Sequence, residues 1–336
     1  MKEKMQLRPV CNKVYIASCT ENGGIFRYSL YNDGSLSFID KIQADRVMYM
    51  IAENGILYTV LRAPFPGLNE SGLAAYKITV DGSLLQKSGA ISTKGEVACH
   101  LTMSIPEQDI FCANYISGSV FKSDGTLVVH SGSSQHRMRQ ASPHTHCTVF
   151  TPDGRYLCVT DLGIDKIVIY DKDLKLVSQC SLPAGNGPRH LVFSPDNETA
   201  FCINELSSTV SLLKYAAGKL NYINDFTAFP KDYDGESAAA AIRISSDGKY
   251  LYTSNRGHDS ISCFKVRNDE LELFDIVPSG GNSPRDFNIS PDGRWLLCAN
   301  EGSDNVISFR INEDGSLLKK TCITDLKSPL CVVFGG

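Results

Sequence analysis

One feature constrains this chain before any other: it repeats itself. "FTPDGRYLCVTDLGIDKIVIYD" (150–171), "FSPDNETAFCINELSSTVSLLKY" (193–215), "ISSDGKYLYTSNRGHDSISCFKV" (244–266) and "ISPDGRWLLCANEGSDNVISFRI" (289–311) superpose, and "SIPEQDIFCANYISGSVFKSDG" (104–125) is a weaker copy. Their turn residues Asp153, Asp196, Asp247 and Asp292 lie 43, 51 and 45 residues apart. That period belongs to propeller blades or similar arrays. Within each unit an apolar strand meets a Pro-Asp-Gly type turn, then an alternating strand, a Gly/Ser/Asp/Asn turn and a further strand. The pattern is that of an antiparallel meander.

Two degenerate units precede these, "VYIASCTENGGIFRYSLYNDGSLSF" and "ILYTVLRAPFPGLNESGLAAYKITVDGSL", and "DGSL" at 33–36, 81–84 and 314–317 marks an outer hairpin. The count reaches seven. Seven units in 336 residues average 48 each, close to the ~40–50 of a four-stranded blade. The tail "SPLCVVF" resembles the first strand of a unit, and the N-terminal unit starts without one. The expectation is therefore all-β: a single domain over 1–336, a seven-bladed β-propeller of four-stranded antiparallel blades, closed by the C-terminal strand. Closure leaves no sheet edge unpaired. The polar stretch 130–146 is expected to be a long loop between blades three and four.

Composition narrows the class. Hydrophobic residues make up 42% and the net charge is −4, with Lys and Arg scattered. No basic patch suits nucleic acid or an anionic membrane. The opening "MKEKMQLRPVCNKVYIA" has no apolar core before a cleavage site, and no run approaches a membrane span. The expected location is cytoplasmic, as a monomer or weak homo-oligomer. Twelve cysteines lack CxxC or zinc-ligand spacing. Cys112, Cys158, Cys202 and Cys298 recur at one strand position, which reads as core packing.

Candidate site residues come from equivalence between units. The inner strand starts, and its antiparallel neighbour ends, on one face. Arg189 corresponds to His146 and Arg285, Glu205 corresponds to Arg256 and Glu301, and His100 matches His190. Ordinary solvated tip charges are the alternative. Several cations beside two carboxylates at a channel entrance instead suggest an anionic ligand. His144 either faces solvent or touches the ligand; His258 either holds its turn or lines the site. His130 and His136 read as plain loop residues, and the four repeat aspartates as turn residues.

These motifs resemble the seven-bladed propeller lactonase family, which includes bacterial 6-phosphogluconolactonases of the propeller type and fungal carboxy-muconate lactonizing enzymes. The resemblance covers essentially the whole chain and is strongest in "RQASPHTHCTVFTPDGRYLCVTDLGIDKI", "GNGPRHLVFSPD", "LYTSNRGHDSI" and "SPRDFNISPDGRWLLCANEGSDNVISF". It implies that His146, Arg189, Glu205 and Arg256 are catalytic; the reading of the units and their neighbouring histidines adds His190, Arg285, Glu301, His144, His258 and His100 as expected substrate contacts. Two departures stand out. Thr145 takes the place of the motif's proline, predicting a looser loop, and Ala241, equivalent to His190, stands where many relatives carry an acid.

The chemistry expected is opening of an anionic sugar lactone. Glu205 serves as base, His146 as its partner, and the arginines hold the oxyanion or the substrate's acid group. No cofactor is expected. Another lactonase propeller type holds calcium or zinc through carboxylate and amide oxygens, whereas a cationic funnel predicts a metal-independent site. No G-x-S-x-G elbow is present. A cycloisomerase running the ring-closing direction, and a non-enzymatic binding propeller, remain the alternatives. A mouth ringed by His, Arg and Glu rather than aromatic anchors weighs against the latter.

Overall fold

The computed structural model describes residues 10–230, 233–267 and 270–335. Of the opening stretch 1–17, on which the expectation of no export signal rests, residues 1–9 lie outside the described residues. Each repeat forms one antiparallel sheet. In blade five the inner strand Pro188–Phe193 pairs with Thr199–Asn204, which pairs with Thr209–Ala216, which pairs with Lys219–Thr227. Seven such sheets follow one another, and their inner strands touch in cyclic order, so they surround a central channel. Among the described residues the one helical element is a single 3-10 turn, Glu301–Ser303, and no helix is long and apolar enough to cross a membrane.

The repeat aspartates build the turns that join the first two strands. Asp153 accepts from the backbone N–H of Arg155 at 3.1 Å, Asp247 from Lys249 at 3.1 Å and Asp292 from Arg294 at 3.1 Å. Gly154, Gly248 and Gly293 follow with φ of 66°, 73° and 71°. Blade five has Asn197 there at φ 64°, the non-glycine residue that best tolerates a left-handed backbone. Cys112, Cys158, Cys202 and Cys298 are fully buried between blades, as their repeated place predicts. The cysteines of the described residues are free thiols.

Two features depart from a uniform ring. The outer edge of blade two is split, because Leu84–Gln86 and Ile91–Glu96 both pair with Glu70–Ile78. The long loop spans 130–144 rather than 130–146, since Thr145 and His146 already belong to the inner strand Thr145–Phe150. Closure is as expected: Pro329–Gly335 pairs with Val10–Ser18 as the innermost strand of blade one. Trp295 of blade seven, 1% exposed, packs into the blade-one core with Val14, Ile16 and Leu30.

Candidate active site at the channel mouth

A bulge repeated around the ring aims the first set of side chains. In blade five Pro188 pairs with Asn204 and His190 with Ile203, so Arg189 is left without a partner across the ladder. Blades three, four and seven do the same at Cys99, His146 and Arg285. An extra residue of this kind turns its side chain away from the regular pleat. Here it faces the mouth.

The second set follows a buried amide. Asn114, Asn204, Asn255 and Asn300 lie at or one residue before the ends of the second strands with no exposure. Two of these amides tie the second strand to the third: Asn204 donates to Ser211 at 2.8 Å and Asn255 to Ser262 at 2.8 Å. The residue after each is carried to the same face. Those residues are Tyr115, Glu205, Arg256 and Glu301.

The two sets converge on Glu205, which is 4% exposed. Its Oε2 accepts from Arg189 Nε and Arg256 Nη2, each at 3.0 Å, and its Oε1 accepts from Arg139 Nη2. Small side chains make room for this. Across Ala238–Ala241, Arg189 donates to the carbonyl of Ala240 at 2.8 Å and Arg256 to that of Ala238 at 3.1 Å. Arg189 Nη1 also donates to His190 Nε2 at 3.1 Å, and Arg285 lies 3.7 Å from Glu301. His146 packs edge-on against Tyr115 and His190, with its Nδ1 3.7 Å from the Cys99 sulfur.

The electrostatics are those of a dry, cation-rich site. Burial pushes the Glu205 carboxyl up, but the charges of Arg256, Arg189 and Arg139 overcome it and hold its pKa well below the usual range. Burial, then Arg189, keeps His146 and His190 well below the ordinary histidine value. Both imidazoles are neutral at working pH. Burial, with Arg285 and Arg256 alongside, also lowers Arg189. His190 Nδ1 is buried without a partner. It belongs to a chamber bounded by His146, Arg189 and Arg285 that has room for about one water molecule. Outside it lies an open basin of about 500 Å³ lined by His136, Arg139, Glu205, Glu236 and Arg256.

The structure thus brings together His146, Arg189, His190, Glu205 and Arg256, with Arg285 and Glu301 alongside. His144 stacks on Tyr115 at 4.5 Å and its Nδ1 meets the Tyr115 carbonyl at 3.0 Å, so it backs the site. His258 holds its turn through Ser260 at 2.7 Å and packs against Tyr233. His100 sits one ring deeper, stacked on Tyr49 at 4.3 Å, and lines the pocket at the opposite mouth. It still meets His190 of the upper cluster edge-on at 5.3 Å.

Three expectations need correcting. His130 is not a plain loop residue: its side chain is 3% exposed, its Nδ1 donates to Asp161 at 2.7 Å and its Nε2 accepts from Tyr170. His136 accepts the Arg139 N–H at 3.2 Å and lines the basin. Thr145 does not loosen its segment, because its hydroxyl bonds blade three through the carbonyls of Asn114 and Ser119, at 3.1 and 2.8 Å. The ring position left without an acid at Ala241 has one in blade seven, where Asp286 is held by Arg243 at 3.0 Å. Arg139 and Tyr115 escaped the sequence reading. Tyr115 occupies the Glu205 place in the weak unit and was open to the same arithmetic; Arg139 lies in a loop with no repeat to count from.

Comparison with known proteins adds a family. The family model "Lactonase, 7-bladed beta-propeller" matches residues 13–334. An uncharacterised protein of Staphylococcus aureus strain N315 is 34% identical over 294 residues, covering 82% of this chain and 85% of its own. A crystal structure from Lactobacillus plantarum is 30% identical with a TM-score of 0.88 over 97% of this chain and 99% of that one. The periplasmic gluconolactonase of Pseudomonas aeruginosa is 26% identical, with a TM-score of 0.88 and coverage of 97% and 99%. A candidate 6-phosphogluconolactonase of Bacteroides fragilis is 27% identical, with a TM-score of 0.85 and coverage of 97% and 98%.

Proposed function

Because the chain belongs to the seven-bladed β-propeller lactonase family, we propose that it hydrolyses an anionic sugar lactone, of the 6-phosphogluconolactone type, at the upper mouth of its channel. The observation that carries this reading is the Glu205 clasp: four guanidinium groups, Arg139, Arg189, Arg256 and Arg285, surround two carboxylates, Glu205 and Glu301. Such an excess of positive charge around a largely buried carboxylate is best relieved by an anionic ligand.

In the reaction a water oxygen adds to the lactone carbonyl carbon while its proton passes to the Glu205–His146 pair. The carbonyl oxygen becomes an oxyanion facing Arg189 and Arg256, which stay charged and need no reorganisation. The ring C–O bond then breaks, and the same pair returns the proton to the leaving alkoxide. Acid–base help of this kind is worth ~10²–10⁴-fold, enough for a substrate that already opens in water. The lining thiols are free, which suits the cytoplasm we propose as its compartment.

The test is proton release from fresh 6-phosphoglucono-δ-lactone and from neutral glucono-δ-lactone, with the uncatalysed rate subtracted and a chelator control. The phosphorylated lactone should be preferred, and its KM should rise with salt, since exposed charges are screened beyond ~10 Å at 0.1 M. Arg189→Lys should not restore activity, because Arg189 serves three acceptors at fixed angles. Equal turnover of both lactones at every ionic strength overturns the reading. Accumulation of lactone from an open-chain acid would instead mark the ring-closing direction.

A further inference from the structure

Arg139 is the member of the cluster that no blade supplies. It comes from the 130–144 loop, and that loop is pinned along its length. His130 is held by Asp161, the Ser134 hydroxyl donates to Asp165 at 2.5 Å, and the fully buried Gln140 donates to the Leu162 carbonyl at 2.8 Å. The backbone around Arg139 is therefore fixed, and what can move is its side chain.

Its surroundings differ from those of the other two arginines on Glu205. The side chains of Arg189 and Arg256 are 3% and 15% exposed and each is anchored to blade-six carbonyls. That of Arg139 is 40% exposed, and apart from Glu205 its partner is the Tyr115 hydroxyl at 3.2 Å. It also stands at a boundary. Behind it the chamber beside His146 and Arg189 holds about one water, too little for a lactone ring; in front is the basin. A substrate in the basin faces Arg139 together with Glu205 and Arg256, and of these three side chains Arg139 is the most exposed.

We propose that Arg139 is a movable clasp and the residue that selects for charge: it turns from Glu205 to a phosphate monoester or carboxylate at the far end of the substrate, and so frees Oε1 of Glu205 to take the water proton. An anionic substrate thereby readies its own base, whereas a neutral one leaves the carboxylate clasped. This rests on the lactonase reading above and adds the residue that sets its substrate class.

The experiment uses the full-length protein, Arg139→Ala, Arg139→Lys and, as a control, Arg137→Ala, an exposed arginine of the same loop. Two readouts are taken: kcat/KM on 6-phosphoglucono-δ-lactone and glucono-δ-lactone, and calorimetric affinity for inorganic phosphate and for gluconate, which separates phosphate from carboxylate recognition. Loss of one charge-assisted contact is worth about tenfold. Arg139→Ala should lose about that factor on the phosphorylated lactone and on whichever anion the wild type binds, and gain turnover on the neutral lactone. Arg139→Lys should fall between, and Arg137→Ala should keep the wild-type ratio. An unchanged ratio of the two lactones in Arg139→Ala overturns the proposal, as does unchanged anion affinity, or a wild type that binds neither anion. If the wild type opens no lactone but binds phosphate through Arg139, the lactonase reading fails and the recognition site stands.

Discussion

Glu205 accepts from three arginines, and this fixes what its replacement does. Glu205→Gln keeps the shape and an acceptor oxygen but removes the basicity, so turnover should drop ~10²–10⁴-fold while product binding persists. Adding His146→Ala should cost little more, because the pair acts as a unit. Glu301→Gln, at the equivalent place two blades on, should change binding more than turnover; the opposite outcome would move the base to blade seven. The histidines give a second prediction. Burial holds His100, His146 and His190 neutral, His100 down to about pH 3. The unfolded chain takes up those protons near pH 6.5 and the folded one does not. Stability is therefore complete above pH 6.5 and is lost as pH falls, by up to about 1.4 kcal/mol per unit for each histidine. Urea midpoints at pH 7.5, 6 and 5 should decline, and His100→Asn should flatten the decline.

At the scale of elements, two local devices make the site, and they were legible to different degrees. The inner-strand bulge recurs from blade to blade, so offsets counted from the turn aspartates find Arg189, His146 and Arg285 without any coordinates. The buried asparagine does the same for Glu205, Arg256 and Glu301. The 130–144 loop has no counterpart in other blades, and its anchor is tertiary: Asp161 accepts from the His144 and Gly163 backbones at 2.7 and 2.9 Å as well as from His130. Asp161→Ala strands those buried donors and should cost about 3 kcal/mol. It should also blunt the preference for anionic lactones, because Arg139 loses its fixed platform. Urea unfolding reads the first effect and the ratio of lactone rates the second. A variant as stable as the wild type would show the anchor to be dispensable.

For the whole molecule, the ring is held shut by one strand added from the far end of the chain. Pairings from Lys13 to Gly335 through Ser18 to Pro329 seal blade one, and Trp295 lies against Gly34, whose lack of a Cβ leaves room for the indole. Ending the chain after Ser328 removes the inner strand, bares an edge and opens the channel wall. Melting should fall well below that of the intact chain. The mouth should fail with it, because the inner strand of blade one touches those of blades two and seven, and blade seven carries Arg285. A truncated protein that melts normally would mean the ring does not depend on its closing strand.

The sequence by itself determined the period, the blade number, the turns, the closing strand and the face on which the charges gather. Each of these is written in local chemistry that repeats: an Asp-Gly turn, an alternating strand, an amide before the site residue. Only the tertiary structure decided how those charges are used. That Glu205 binds three arginines at once, that His100 drops one ring below its neighbours, and that Thr145 tightens its segment all depend on distances between blades, which no spacing along the chain encodes. Arg139 shows the difference most plainly. Its place is set by a buried His–Asp–Tyr contact and by bonds to blade four, so its proximity to Glu205, 66 residues further along the chain, exists only once the ring has closed.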